Sequence, residues 1–364
     1  MDFSSPYRIP LSWLLEHGSE SVRLRTLREL APPGQPGLEA LEAQVVESKA
    51  VQAIIRKQRD DGSWGGTLLG ILPSARDGVK EPGTVAQHRR LTQLAYPRGG
   101  RAFKLADRLL FRILSRDEDP ALLFEYQKLA KDVPASTEWI RDRNREAATA
   151  ALAESGFHDD PRVRGAAHKV ASAVSAFLRS PLADKPFARS GGATILHHEA
   201  HPPTWYSLAM VAAMPMLRRE RAAFTERLGQ YLATHAPKRT FVIQVGKKSL
   251  KPTDLLLGDP TETDAKGNVP DVPFALMFYE QMARIGALAA SPLAGKVIGR
   301  LEQECDDNGV WRPKKLAAQP KTTHAATYHA YPLTSDERVD SRLVDVTFRL
   351  ALIAKVVGRP VEYT

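Results

Sequence analysis

Gln58-Arg59-Asp60-Asp61-Gly62-Ser63-Trp64-Gly65 closes an apolar-periodic segment, and it returns in altered form at Cys305-Asp306-Asp307-Asn308-Gly309-Val310-Trp311. The two stretches align without a gap: Ile54 with Leu301, Gln58 with Cys305, Gly62 with Gly309 and Trp64 with Trp311, each pair 247 positions apart. A constant offset with matched roles is the mark of a repeated structural unit. Leu41, Val45, Val51, Ile54 and Ile55 keep helical spacing up to Asp60-Asp61-Gly62, where glycine can take the left-handed conformation that ends a helix. Trp64 is then placed to fold back over the helix end. The Gln58 amide can offer it a flat stacking surface and can hydrogen-bond a neighbouring helix terminus.

Working outward, helical periodicity predicts segments near 19–30, 38–58, 83–95, 101–115, 120–131, 137–155, 160–180, 203–217, 219–235, 273–290, 291–305 and 340–357. Start signals support several of them: Asp160-Pro161 before Val163, Ser136-Thr137-Glu138 before Trp139, and Pro202-Pro203-Thr204 before Trp205. Only Phe241-Val242-Ile243-Gln244-Val245 reads as a strand. Two turn-rich stretches, about 247–273 and 312–337, are too long for simple connections and are expected to be insert loops, a usual place for binding residues.

Helix-x3-Gln-x3-Gly-x-Trp resembles the glutamine–tryptophan repeat of the prenyltransferase and squalene-cyclase superfamily. Trp13-Leu14-Leu15-Glu16, followed by Val22 to Leu30, is similar to the start of small bacterial toroid proteins of this kind. The resemblance covers roughly residues 11–100 and 291–357, and the second copy lacks the glutamine. It implies an all-α fold, an α/α toroid of about six helical hairpins, with residues 1–364 as a single domain. Gln58, Gly62, Trp64, Gly309 and Trp311 would be its structural repeat positions.

The superfamily's acidic motifs are missing. There is no Asp-x-Asp-Asp, and Asp117-Glu118-Asp119, the nearest run, reads as a turn. Asp-Asp-x-x-Asp is absent too, so the standard cyclisation chemistry is not implied. Cys305 with Asp306 or Asp307, and His324 or His329 downstream, partly matches the zinc set of protein prenyltransferases. Gln303, however, stands where that pattern needs Asp, and Cys305 already occupies a repeat position. His198-Glu199-Ala200-His201 is one residue short of the metalloprotease pattern and runs into Pro202-Pro203. No metal and no cofactor are expected.

The chain carries 51 Lys+Arg against 42 Asp+Glu, a net charge of +9, which favours anionic partners by field without defining a site. One cysteine excludes an intrachain disulfide. The opening Met1-Asp2-Phe3-Ser4-Ser5-Pro6 lacks the pattern of a signal peptide, and the longest apolar runs fall short of the roughly 20 residues of a bilayer span. A cytoplasmic protein without a transmembrane segment is expected, with peripheral membrane contact left open.

Two readings remain. In the preferred one, an apolar central cavity binds an isoprenoid-like or other apolar small molecule, with or without transforming it. His198, Glu199, His201, Asp259, His324 and His329 would be the polar or catalytic groups at its mouth, and Trp205, Phe278 and Tyr328 would belong to its aromatic wall. In the other, a non-catalytic helical-repeat scaffold uses a basic surface to bind protein or, less favoured, nucleic acid.

Overall fold

A computed structural model describes residues 5–70, 82–115, 123–129, 134–237, 239–245, 248–316, 320, 322, 324–334 and 340–364. In chain order the elements are β1 (Tyr7–Ile9), α1 (Leu11–His17), α2 (Glu20–Arg25), α3 (Leu38–Glu47), α4 (Lys49–Ile55), α5 (Thr84–Gln93), α6 (Arg101–Ser115), α7 (Pro134–Leu152) and α8 (Pro161–Leu178). There follow β2 (Phe187–Ser190), β3 (Ala193–Leu196), α9 (Trp205–Ala213), α10 (Pro215–Glu220), α11 (Ala222–Leu232), β4 (Ile243–Val245) and β5 (Lys248–Leu250). The last are α12 (Val272–Arg284), α13 (Pro292–Glu302), α14 (Ser341–Val356) and β6 (Val361–Tyr363). The predicted helix at 120–131 is described only in part, as a π-helical turn over Glu125–Leu129, and Asp117-Glu118-Asp119 lies outside the described residues.

The expectation of an all-α toroid is corrected: the fold is mainly helical but mixed, with three two-stranded sheets among the described residues. β1 pairs with β6 in parallel, Tyr7 opposite Val361, a pairing across almost the whole chain that local periodicity cannot signal. β2 and β3 form a hairpin turned by Gly191 and Gly192, whose φ values of +53° and +82° favour glycine. β4 and β5 are antiparallel, so the predicted strand narrows to three residues, and the stretch expected to be a loop from 247 carries its partner. Strands of three or four residues are too short to show alternation in the sequence.

Two predicted helices break where the chemistry demands it. Ser48 separates α3 from α4, accepting from Val51 N with its hydroxyl oxygen. Pro215, which has no N–H, separates α9 from α10.

The chain divides into two compact units. Unit 1 comprises Met1–Ile54, Arg90–Pro97 and Asp259–Thr364, and unit 2 comprises Ile55–Arg89 and Arg98–Gly258. In unit 1 the core is α12 packed on α14, whose Leu343, Val344, Val346, Phe348 and Leu350–Ile353 side chains are buried. A charge cluster is buried with them. Glu280 pairs with Arg349 and, at 2.9 Å, with Arg284, and Gln93 Oε1 accepts from both Arg25 and Arg349 at 2.8 Å. Burial opposes ionisation of Glu280, but Arg349, Arg284 and Arg25 outweigh it and hold its pKa at about 2. Asp345, buried and accepting from Leu333 N and Thr334 N, is pushed up to about 6 by desolvation against the pull of those amides, Arg349 and Arg90.

In unit 2, α7 packs against α6, α8 and α9. Ala102, Phe103, Ala106, Leu110 and Ile113 form the buried stripe of α6 at helical spacing. Asp160 caps α8 ahead of Pro161, and Thr204 with Ser207 forms a capping box on α9. These caps fix where the two helices begin, and both starts border the site described next. Among the described residues no helix is long and apolar enough to cross a membrane.

Candidate functional site

Glu138, Trp139, Asp142, Arg143 and Glu146 recur every three or four residues on α7 and therefore share a flank of that helix. On α8 the same spacing aligns Arg162, Ala166, Lys169, Val170 and Ala173. These two flanks border a cleft of about 630 Å³, completed by Leu114 of α6, by Val174, and by His201 and Pro202 just ahead of α9. Leu114, Trp139, Val170 and Val174 supply apolar wall between the charged side chains of both helices, and the small residues Gly165, Ala166 and Ala173 of α8 leave the space open.

The most buried charged residue lining it is Glu146, which is 8% exposed. Its Oε1 accepts from Thr204 Oγ1 at 2.7 Å and its Oε2 from Arg143 Nη1 at 3.2 Å. Thr204 Oγ1 in turn accepts from Tyr206 N and Ser207 N at 3.0 Å each, so the cap of α9 is also the anchor of this carboxylate. Arg143 lies 3.5 Å from Asp254 Oδ2 and stands over the Trp139 ring, 5.9 Å from its centroid. The Asp254 carbonyl accepts from Trp205 N at 2.9 Å and closes the far side of the cap.

Electrostatics follow from this arrangement. Burial pushes the Glu146 carboxyl up, while Arg143 and the Thr204 hydroxyl pull the other way without cancelling the rise. Burial opposes the Arg143 charge, yet Asp254 and Glu146 outweigh it and hold the guanidinium above its ordinary value. His201, exposed at the mouth, is lowered by partial desolvation and by the nearby Arg143 charge. The outer charges are also engaged. Lys169 lies 3.9 Å from Asp142, Arg162 chelates Asp160 at 2.9 and 3.1 Å while covering Phe111, and Arg145 Nε donates to Ile113 O at 3.4 Å.

Of the residues nominated from the sequence, His201 alone lines this cleft. His198 and Glu199 are exposed nearby in the chain, with His198 stacked on His197 at 4.6 Å, and Trp205 is buried at the start of α9. Asp259, Phe278, His324, Tyr328 and His329 belong to unit 1. There Asp259 is buried, accepting from Thr261 N and Oγ1 and from Tyr279 OH, which ties down a loop. Phe278 is fully buried, and His324 stacks on Phe274 at 4.1 Å and is lowered by burial. His329 is buried, its carbonyl facing Arg90 Nη1 at 3.5 Å, and Tyr328 is 38% exposed.

Trp64 and Trp311 are buried at the two turns, where Gly62 and Gly309 take positive φ; Gln58 bridges its turn to α6. The Cys305 thiol is pushed up to about 12 by burial and its carboxylate neighbours. Among the described residues no group of three or more His, Cys, Asp and Glu is placed to hold a metal ion.

Glu146, Arg143, Trp139 and the α8 wall are not among the site residues expected from the sequence. The sequence does place carboxylates at 138, 142 and 146 and an aromatic–arginine pair at 139 and 143 at helical spacing, but it does not show which helix covers that flank. No protein-family model, curated protein or solved structure matches the chain.

Proposed function

We propose that unit 2 binds a small, largely apolar molecule in the cleft between α7 and α8. One observation carries this reading: apolar walls converge on a buried carboxylate whose pKa is raised, with a histidine of lowered pKa at the mouth. Concave, mostly apolar sites with a few convergent polar groups of shifted pKa are where proteins hold small ligands. The cleft's cations each have a protein partner, which does not favour a polyanion as the occupant. The turn resemblance adds isoprenoids to the molecules worth testing, and no reaction is assigned.

The experiment is a fragment soak or NMR screen of uncharged apolar compounds, run in parallel on Ala173→Trp. Ala173 is an exposed residue of the α8 wall, so the indole would fill the cleft without disturbing the core. Hits are expected to map to Trp139 and Val170 and to vanish in the variant. Hits that map elsewhere, or that survive the substitution, count against the proposal.

A further inference from the structure

The cleft holds charges of both signs, and the way they are matched narrows its ligand. Arg143 faces Glu146 and Asp254, Arg162 faces Asp160, and Lys169 faces Asp142. A charged ligand would disturb these pairs. An anion would meet Glu138, Asp142 and Glu146, and a cation would meet Arg143, Arg145, Arg162 and Lys169, in a partly desolvated space where an unmatched charge is costly. An uncharged ligand meets neither penalty.

Hydrogen-bonding capacity narrows it further. A carboxylate offers about four acceptor positions. At Glu146 the Thr204 hydroxyl is on one oxygen and Arg143 on the other, and the Ser207 hydroxyl also acts on the carboxylate, which leaves about one acceptor position at the most buried polar residue of the cleft. The complementary group is an O–H donor on a hydrocarbon body. We infer that the cleft selects an uncharged alcohol, its hydroxyl donating to Glu146 and its hydrocarbon lying between Trp139 of α7 and Val170 and Ala173 of α8. This rests on the ligand-binding role proposed above.

Decanol, decyl methyl ether, decanoate and decylamine, each below its aggregation limit, separate the possibilities by calorimetric titration of the full chain. Decanol is expected to bind, with the ether, the acid and the amine each weaker by about tenfold or more, the scale of one hydrogen bond to a charged acceptor. Ala173→Trp should abolish binding, and Glu146→Gln should bring decanol and its ether close together. An ether, acid or amine that binds as tightly as decanol overturns the alcohol inference and leaves the cleft as a ligand site. If none of the four binds, or if binding ignores Ala173→Trp, both readings fall. The wild-type series decides the matter even where Glu146→Gln fails to fold.

Discussion

At Gln58–Trp64 in unit 2 and at Cys305–Trp311 in unit 1, the glycine takes φ of +86° and +88° and the tryptophan is buried. In each, the tryptophan backbone N–H donates at 3.1 Å to a threonine hydroxyl on a helix further along the chain, Thr84 of α5 and Thr347 of α14. The bridges Gln58–Trp64 and Cys305–Trp311 have the same register. What closes the two turns differs. In unit 2 Gln58 Nε2 donates to the Ala102 carbonyl at 2.9 Å, and Gly62 abuts the Leu105 carbonyl, both on α6. In unit 1 Gly309 abuts the Arg8 carbonyl of β1, Arg8 Nη1 donates to Asp307 O at 2.8 Å, and Trp311 Nε1 donates to Glu304 at 3.0 Å. The backbone turn, the buried indole and the threonine anchor are thus common to both, whereas the glutamine belongs to a turn lying against a helix.

The largest effects should come from the shared part. Trp64→Ala and Trp311→Ala are each expected to cost about 3–5 kcal/mol, as buried aromatic truncations do. Chemical denaturation monitored by far-UV circular dichroism measures both. A loss near zero at either position would mean that the two indoles do not play equivalent parts.

Acidity separates the units next, because Thr347 sits on α14 between Asp345 and Arg349. Glu280, with a folded pKa of about 2 against an ordinary 4.5, contributes stability that is complete above 4.5 and is lost as pH falls through 2. Asp345, at about 6 against 3.8, works in the opposite sense: its contribution is complete below 3.8 and is lost as pH rises through 6. Each is worth on the order of 3 kcal/mol, so these two carboxylates together favour unit 1 most near pH 4. Unfolding curves from pH 2 to 8 check this, and Asp345→Asn should flatten the upper limb. An unchanged upper limb in that variant would remove Asp345 from the account.

The glycines come third. Gly62→Ala and Gly309→Ala would each place a Cβ against a neighbouring carbonyl at positive φ, and a loss of roughly 1–3 kcal/mol is expected in both. Equal losses would strengthen the equivalence of the turns.

The smallest effect tests the difference itself. Gln58→Ala should cost about 1 kcal/mol by leaving the Ala102 and Gly62 carbonyls without the amide, whereas Cys305→Ala should cost less, since a thiol is a weak donor and acceptor toward its neighbours Leu301 O, at 3.7 Å, and Tyr7. Cys305→Gln should gain nothing, because β1 stands where unit 2 has α6. A stabilising Cys305→Gln would show that the two turns keep the same unfilled acceptor.

What short-range chemistry controls was legible in the order of residues. α6 appears with its predicted limits because an apolar stripe repeats along it, α8 and α9 start at their caps, and the glycine–tryptophan turns stand where a left-handed residue ends an apolar helix. Tertiary structure alone decided the rest. The pairing of Tyr7 with Val361, the meeting of Glu146 with Thr204 and of Arg143 with Asp254, and the burial of Glu280 against Arg349 all join residues far apart in the chain. No local pattern marks such partners. A carboxylate on a helix reads as a solvated face until another helix covers it; burial by distant segments raises Glu146 and makes a cleft of the α7–α8 flank, while the arginines brought against Glu280 by the same folding lower it in spite of its burial.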